Sequence, residues 1–163
     1  MKPQPSLAAR QRGAYAVEFA IVFPLFFALF YALLSYGIAF GLRLGLQNAA
    51  EEGARAGLRY QVVAGSQLPA RLQAAQTKTT GLVTWLPFAP TVSAQVCLLG
   101  GACSDGSGTV ACGANLDPGC TINVTVSYPY AQQPIAPPLP GFGIFMPETL
   151  VGRASILLDG RAL

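Results

Sequence analysis

Residues 13–59 read GAYAVEFAIVFPLFFALFYALLSYGIAFGLRLGLQNAAEEGARAGLR, and the reading of this stretch decides the fold. From 19 to 42 there are 24 residues without a formal charge. At about 1.5 Å per residue, a helix of that length covers roughly 36 Å, more than the roughly 30 Å of a hydrocarbon core. The run is too long and too uniformly apolar for the core helix of a soluble domain. One residue sits oddly at its start. Glu18 is a carboxylate at the entrance to a membrane span, and nothing nearby can neutralise it along the helix.

The helical pattern continues past the span. Residues 42–60 contain no proline and are amphipathic: Arg43, Glu51, Glu52, Arg55 and Arg59 are polar, while Leu42, Leu46, Ala49, Ala50 and Gly53 recur at helical spacing. One helix over about 14–60 would be roughly 70 Å long, lipid-compatible in its first half and supporting a folded domain with its second. Along it runs a ladder of small residues four apart: Gly37, Gly41, Gly45, Ala49, Gly53 and Gly57. A glycine inside a helix costs about 1 kcal/mol relative to alanine, so five of them need a reason. Neighbouring rungs share a face, as in contacts where helix backbones approach closely. Three readings are open: packing against sister subunits or partners, packing against this chain's own domain, and simple tolerance of glycine in a membrane helix.

Charge places the ends. Of ten basic residues, Lys2, Arg10 and Arg12 precede Gly13, and the remaining seven are balanced by seven acidic ones. The basic excess is a local topology signal ahead of an apolar span, predicting a cytoplasmic N-terminus and an exported C-terminal part. It is not a nucleic-acid-binding surface, and no nucleic-acid partner is expected. Only 10% of residues are charged and 52% are hydrophobic, against about 25% charged in ordinary soluble domains. A cleaved signal peptide is the competing reading, with small residues at Gly37 to Gly41 as a cleavage site. The apolar run exceeds the usual signal core of about 7–15 residues.

There is no histidine, which removes the commonest general base and most zinc chemistry. Cys97, Cys103, Cys112 and Cys120 fall within 24 residues without a C-x-x-C pair, so two disulfides in an oxidising compartment are expected rather than a metal cage. Their pairing is open among three possibilities. Asp105 and Asp117 flank glycines and suit turns. With no catalytic constellation, metal or cofactor, the chain reads as a non-enzyme.

Residues 66–86 predict a second, amphipathic helix, with Leu68, Leu72, Ala75, Thr79, Leu82 and Leu86 on one face and Pro87 and Pro90 ending it. Residues 91–98 suit a strand and 100–119 a loop. Residues 121–128 alternate, with Ile122, Val124, Val126 and Tyr128 on one face. A proline loop over 129–147 leads to a last strand over 149–158, with Arg153 facing away from Leu150, Ala154 and Ile156. Tyr128 and Tyr130 read as strand-end packing. The sequon at Asn123 lies inside a strand pattern and reads as chance. The expected fold is α+β: a long N-terminal transmembrane helix continuing into a small domain with a second helix and a mainly antiparallel sheet of about three strands.

With these residues in view, the segment from Gly13 resembles a type IV prepilin processing site. A short basic leader ends in Gly13, the new first residue is Ala14, and Glu18 is the fifth mature residue in an apolar helix. The run to Arg59, with its Val17-Glu18-Phe19 triplet, Pro24 and the small-residue stretch LQNAAEEGARAGLR, is similar to the TadE-like pseudopilins of tight-adherence (Flp, type IVb) systems. The ending TINVTVSYPY with its proline loop and last strand is similar, less specifically, to that family's exported domain. Flp major pilins often carry tyrosine after the glutamate, where Phe19 stands here, and are much shorter.

The resemblance implies a minor pseudopilin. Residues 1–13 would be a cytoplasmic leader, 14–42 a transmembrane half-helix and 43–163 an exported pilin-like domain with a disulfide loop. A prepilin peptidase would cut between Gly13 and Ala14. Glu18 would pair with the amino terminus of a neighbouring subunit during assembly. Implied partners are other pseudopilins and pilin subunits, the Tad inner-membrane platform and the lipid bilayer. The location would be a bacterial inner membrane, crossed once, with the C-terminal domain outside the cytoplasm. The alternative is an exported, disulfide-stabilised binding or adhesin domain on a signal anchor that never enters a filament.

Overall fold

The computed structural model describes residues 7–59, 67–106, 112, 119–136 and 146–158, with the backbone alone at 7–14. The chain divides into two units, Met1–Ile38 and Ala39–Leu163. The first consists of the N-terminal part of helix α1, Leu7–Leu58. This helix begins well before residue 14, where the sequence pattern puts its start, so the basic residues Arg10 and Arg12 are helical too. Its large apolar side chains from Tyr15 to Leu34 are exposed almost all round, the pattern of a helix whose solvent is lipid. Pro24 lies inside it, removing one backbone hydrogen bond, which membrane helices tolerate. Among the described residues this is the helix long and apolar enough to cross a membrane, with a best-window mean hydropathy of 2.3.

The second unit packs residues 39–58 of α1 and helix α2, Gln67–Leu82, on one face of a four-stranded antiparallel sheet. The strands are β1 Thr91–Leu98, β2 Cys103–Ser104, β3 Cys120–Tyr128 and β4 Leu150–Leu158, in the order β2-β1-β3-β4. The alternation anticipated for β3 is observed: Ile122, Val124, Val126 and Tyr128 are buried and the residues between them half-buried. Register carries that inner face across the sheet, with Val96 opposite Ile122 opposite Ile156, and Ala94 opposite Val124 opposite Ala154. From α1 come Ala39, Leu42, Leu46, Ala49, Ala50 and Ala54; from α2 come Leu68, Leu72 and Ala75. Fully burying one Val, Leu or Ile side chain contributes about 1.5–3 kcal/mol, so this shared apolar seam is the main source of the domain's stability.

The expected antiparallel sheet of about three strands is observed, and two details refine the reading. Among the described residues the sheet has a fourth, two-residue strand, because the segment read as a loop over 100–119 contains β2, joined to β1 by a tight turn in which Leu98 N–H donates to Ala102 O at 3.0 Å and Gly100 has a φ of 73°. A left-handed residue at that position favours glycine. Helix α2 ends at Leu82 rather than at the prolines. Its last carbonyls are met by a Thr84 hydroxyl donating to Gly81 O and by Val83 N–H donating to Thr80 O. A further turn, Leu86 N–H to Val83 O, brings Val83 and Leu86 into the core. Tyr128 and Tyr130 are both buried, with ring centroids 6.5 Å apart. The Tyr128 hydroxyl donates to Gln133 O, and burial pushes its phenol pKa up.

Candidate functional site: the N-terminal helix, its small-residue ladder and the cysteine staples

Gly13 and Ala14 lie on the backbone of α1; their side-chain surroundings fall outside the described residues, as does Lys2. Glu18 is exposed on the helix. From residue 15 to residue 38 the sequence offers it no basic side chain. Next to it starts a stripe of stacked rings: Phe19 on Phe23, Phe23 on Phe27 and Phe27 on Tyr31, at centroid separations of 5.2, 6.2 and 6.4 Å. Spacing of four makes these rings neighbours on one helix face. That signal was present in the sequence, hidden inside a run that reads simply as apolar.

The small-residue ladder splits. At Gly37 and Gly41 an added Cβ would meet nothing within 4 Å. At Gly45 it would lie 3.3 Å from the Trp85 indole. At Gly53 it would overlap Thr79 Oγ1 and come within 3.0 Å of Ala75 O; at Gly57 it would press on Ile122, Ala75 and Arg71 O, all at 3.1–3.3 Å. Ala49 is buried in the core. The lower rungs therefore let α1 lie against α2 and the sheet of its own domain. The upper two remain open to another helix. Packing against this chain's own domain therefore accounts for the lower rungs, while Gly37 and Gly41 make no such contact.

A second close approach was not legible. Gly152 of β4 lies on the α1 backbone, where a Cβ would be 2.5 Å from the Leu46 carbonyl carbon and oxygen and 2.7 Å from Gln47 N. Beside it, the Gln47 side chain runs along β4. Its Oε1 accepts from Arg153 N–H at 3.0 Å and its Nε2 donates to Arg153 O at 2.8 Å and to Glu51 Oε1 at 3.0 Å. Arg71 is another surprise, a charged residue with 1% exposure inside α2.

All four cysteines are bonded, Cys97 to Cys103 and Cys112 to Cys120. Of the three possible pairings, the one realised joins sequence neighbours. Cys97 and Cys103 are partners across β1 and β2, so the first bond closes the hairpin, and the second ties Cys112 to the start of β3. Asn123 Nδ2 donates to Cys97 Sγ at 3.1 Å, so the sequon side chain is engaged within the sheet. With separations of 6 and 8 residues, each bond contributes roughly 2 kcal/mol by the loop-entropy account. Thiol labelling of the protein without reductant is expected to find no free cysteine. Substantial labelling at Cys97 or Cys120 would contradict the pairing.

Residues 13–55 match the model of the TadE-like protein family. The matched segment holds Gly13, Glu18, Pro24 and the ladder from Gly37 to Gly53. No curated protein and no solved structure matches the chain.

Proposed function

We propose, with the TadE-like segment as the premise, that this chain is a minor pseudopilin taking part in assembly of tight-adherence pili. The family match over residues 13–55 carries the reading, and with it an association with the Tad pilus system. The finer steps are our own. A prepilin peptidase removes residues 1–13, where glycine leaves the scissile bond unobstructed. The basic leader stays cytoplasmic, α1 crosses the inner membrane, and the disulfide-bonded domain is exported. Glu18, exposed in the isolated chain, finds its partner in the amino terminus of a neighbouring subunit. The function is non-enzymatic: the protein acts by packing with pseudopilins, pilin subunits and the assembly platform.

The test is mass spectrometry of the protein from cells with an active prepilin peptidase. The expected mature chain begins at Ala14. Retention of Met1 in such cells would overturn the pseudopilin reading and favour an anchored binding domain that stays outside the filament.

A further inference from the structure

Alternation gives the sheet a second face, opposite the one that Ile122, Val124 and Val126 bury. On it the register lines up Ser93, Thr125 and Arg153 in one row and Gln95, Asn123 and Ser155 in the next. Arg153 is the one charged side chain that β1, β3 and β4 place on this face, and no aromatic side chain joins it there. An open cavity of about 420 Å³ lies over the two rows, lined by Gln95, Asn123, Thr125, Arg153 and Ser155 and by the Cys97–Cys103 disulfide. Its lining is held from both sides. The disulfide fixes one, and Asn123 Nδ2 donates to Cys97 Sγ at 3.1 Å. On the other, Gln47 holds the Arg153 backbone through both its N–H and its C=O. Among the described residues no carboxylate forms an ion pair with Arg153; Glu51 accepts from Gln47, and Glu52 pairs with Arg55.

The chemistry of these groups selects a ligand. A guanidinium presents paired N–H donors that match a carboxylate in bidentate fashion. The Gln95 amide and the Thr125 and Ser155 hydroxyls each donate and accept, which suits ligand hydroxyls, groups that do the same. A single cation is too few for a phosphate polymer, whose affinity comes from neutralising many phosphates at once. With no ring to stack on, a neutral sugar would be left with exposed hydrogen bonds alone. We infer that this face binds an acidic sugar, a hydroxyl-rich carboxylate of the uronic acid class, with its carboxylate on Arg153 and its hydroxyls on Gln95, Thr125 and Ser155. The cavity falls within the range of about 300–1,000 Å³ usual for small-molecule sites. An acidic peptide would engage Arg153 and leave the amide and hydroxyls unused. Such binding depends neither on cleavage at Gly13 nor on entry into a filament.

The full chain, in a detergent with neither sugar nor anionic headgroups, is titrated with galacturonate, galactose, acetate and N-acetylglutamate, and binding is followed by ligand-observed NMR. Galacturonate is expected to bind at least about tenfold more tightly than galactose or acetate, a ratio within reach of one charge-assisted hydrogen bond. Arg153→Gln should lose about that factor at an unchanged melting midpoint. Arg43→Gln, exposed on α1 and away from this face, should keep full affinity. Thr125→Val, which keeps the shape and drops the hydroxyl, should weaken galacturonate and leave acetate unchanged. Tighter binding of trigalacturonate than of the monomer would mark a polysaccharide as the source of the acid, and equal binding a free sugar acid. Absence of galacturonate binding, or the same loss in both arginine variants, would overturn the site. Acetate binding as tightly as galacturonate would overturn the part given to the hydroxyls, and N-acetylglutamate doing so would assign the face to an acidic peptide instead.

Discussion

Gly152→Val is expected to destabilise the folded domain by at least about 3 kcal/mol, the upper end of ordinary overpacking. The reason is the nature of what lies opposite. A Cβ at Gly152 meets the carbonyl of Leu46 at 2.5 Å, which is backbone and cannot rotate away as a side-chain tip would. Either β4 or α1 must move, and moving either separates the Leu46 and Ala50 seam from Val124 and Val126. In a thermal melt followed by circular dichroism, the midpoint should fall by about 10 °C or more. A variant melting indistinguishably from wild type would disprove the close approach. Gly41→Leu is the control, because nothing lies within 4 Å of that position. It should leave the melt unchanged, so any loss of pili it causes reports on a partner helix.

Glu18→Ala is the second large effect, and it rests on the proposed function. Cleavage at Gly13 creates an α-amino group at Ala14, and a neighbouring subunit's amino group is the cation proposed to face Glu18. Removing one partner of a buried ion pair costs about 3–5 kcal/mol, which weakens subunit association roughly 100-fold or more. The variant should be cleaved and membrane-inserted normally while pilus number collapses. Glu18→Gln, which keeps the shape and drops the charge, should fail likewise. Normal piliation in either variant would remove the pairing role, whatever the cleavage site proves to be.

The sequence was most readable where one face of an element meets one solvent. The alternation of Ile122, Val124, Val126 and Tyr128, and the spacing of Leu42, Leu46, Ala49 and Ala50, located the inner faces of β3 and α1 because burial is periodic in both. Periodicity names a face and not its neighbour. For that reason the ladder could be seen while its division between Gly41 and Gly53 could not. The cysteine pairing was hidden for a related reason: it depends on β2, a strand of two residues, too short to carry a pattern. Gly152 and Gln47 carry no local signal at all, since a glycine in a strand and a glutamine on a polar helix face each read as incidental. The roles proposed for Gly13, Ala14 and Glu18 come through family resemblance alone, because the partners proposed for them would belong to other molecules.

Gln47 has one more consequence. Among the described residues strand β4 ends the sheet, and an unpaired strand edge invites a strand from another molecule. The Gln47 amide makes the two hydrogen bonds to Arg153 that an incoming strand would need. At Arg153 the edge is thereby closed to a strand from another molecule. One glutamine side chain acts there as a plug, taking up the backbone donor and acceptor that a foreign strand would otherwise pair with.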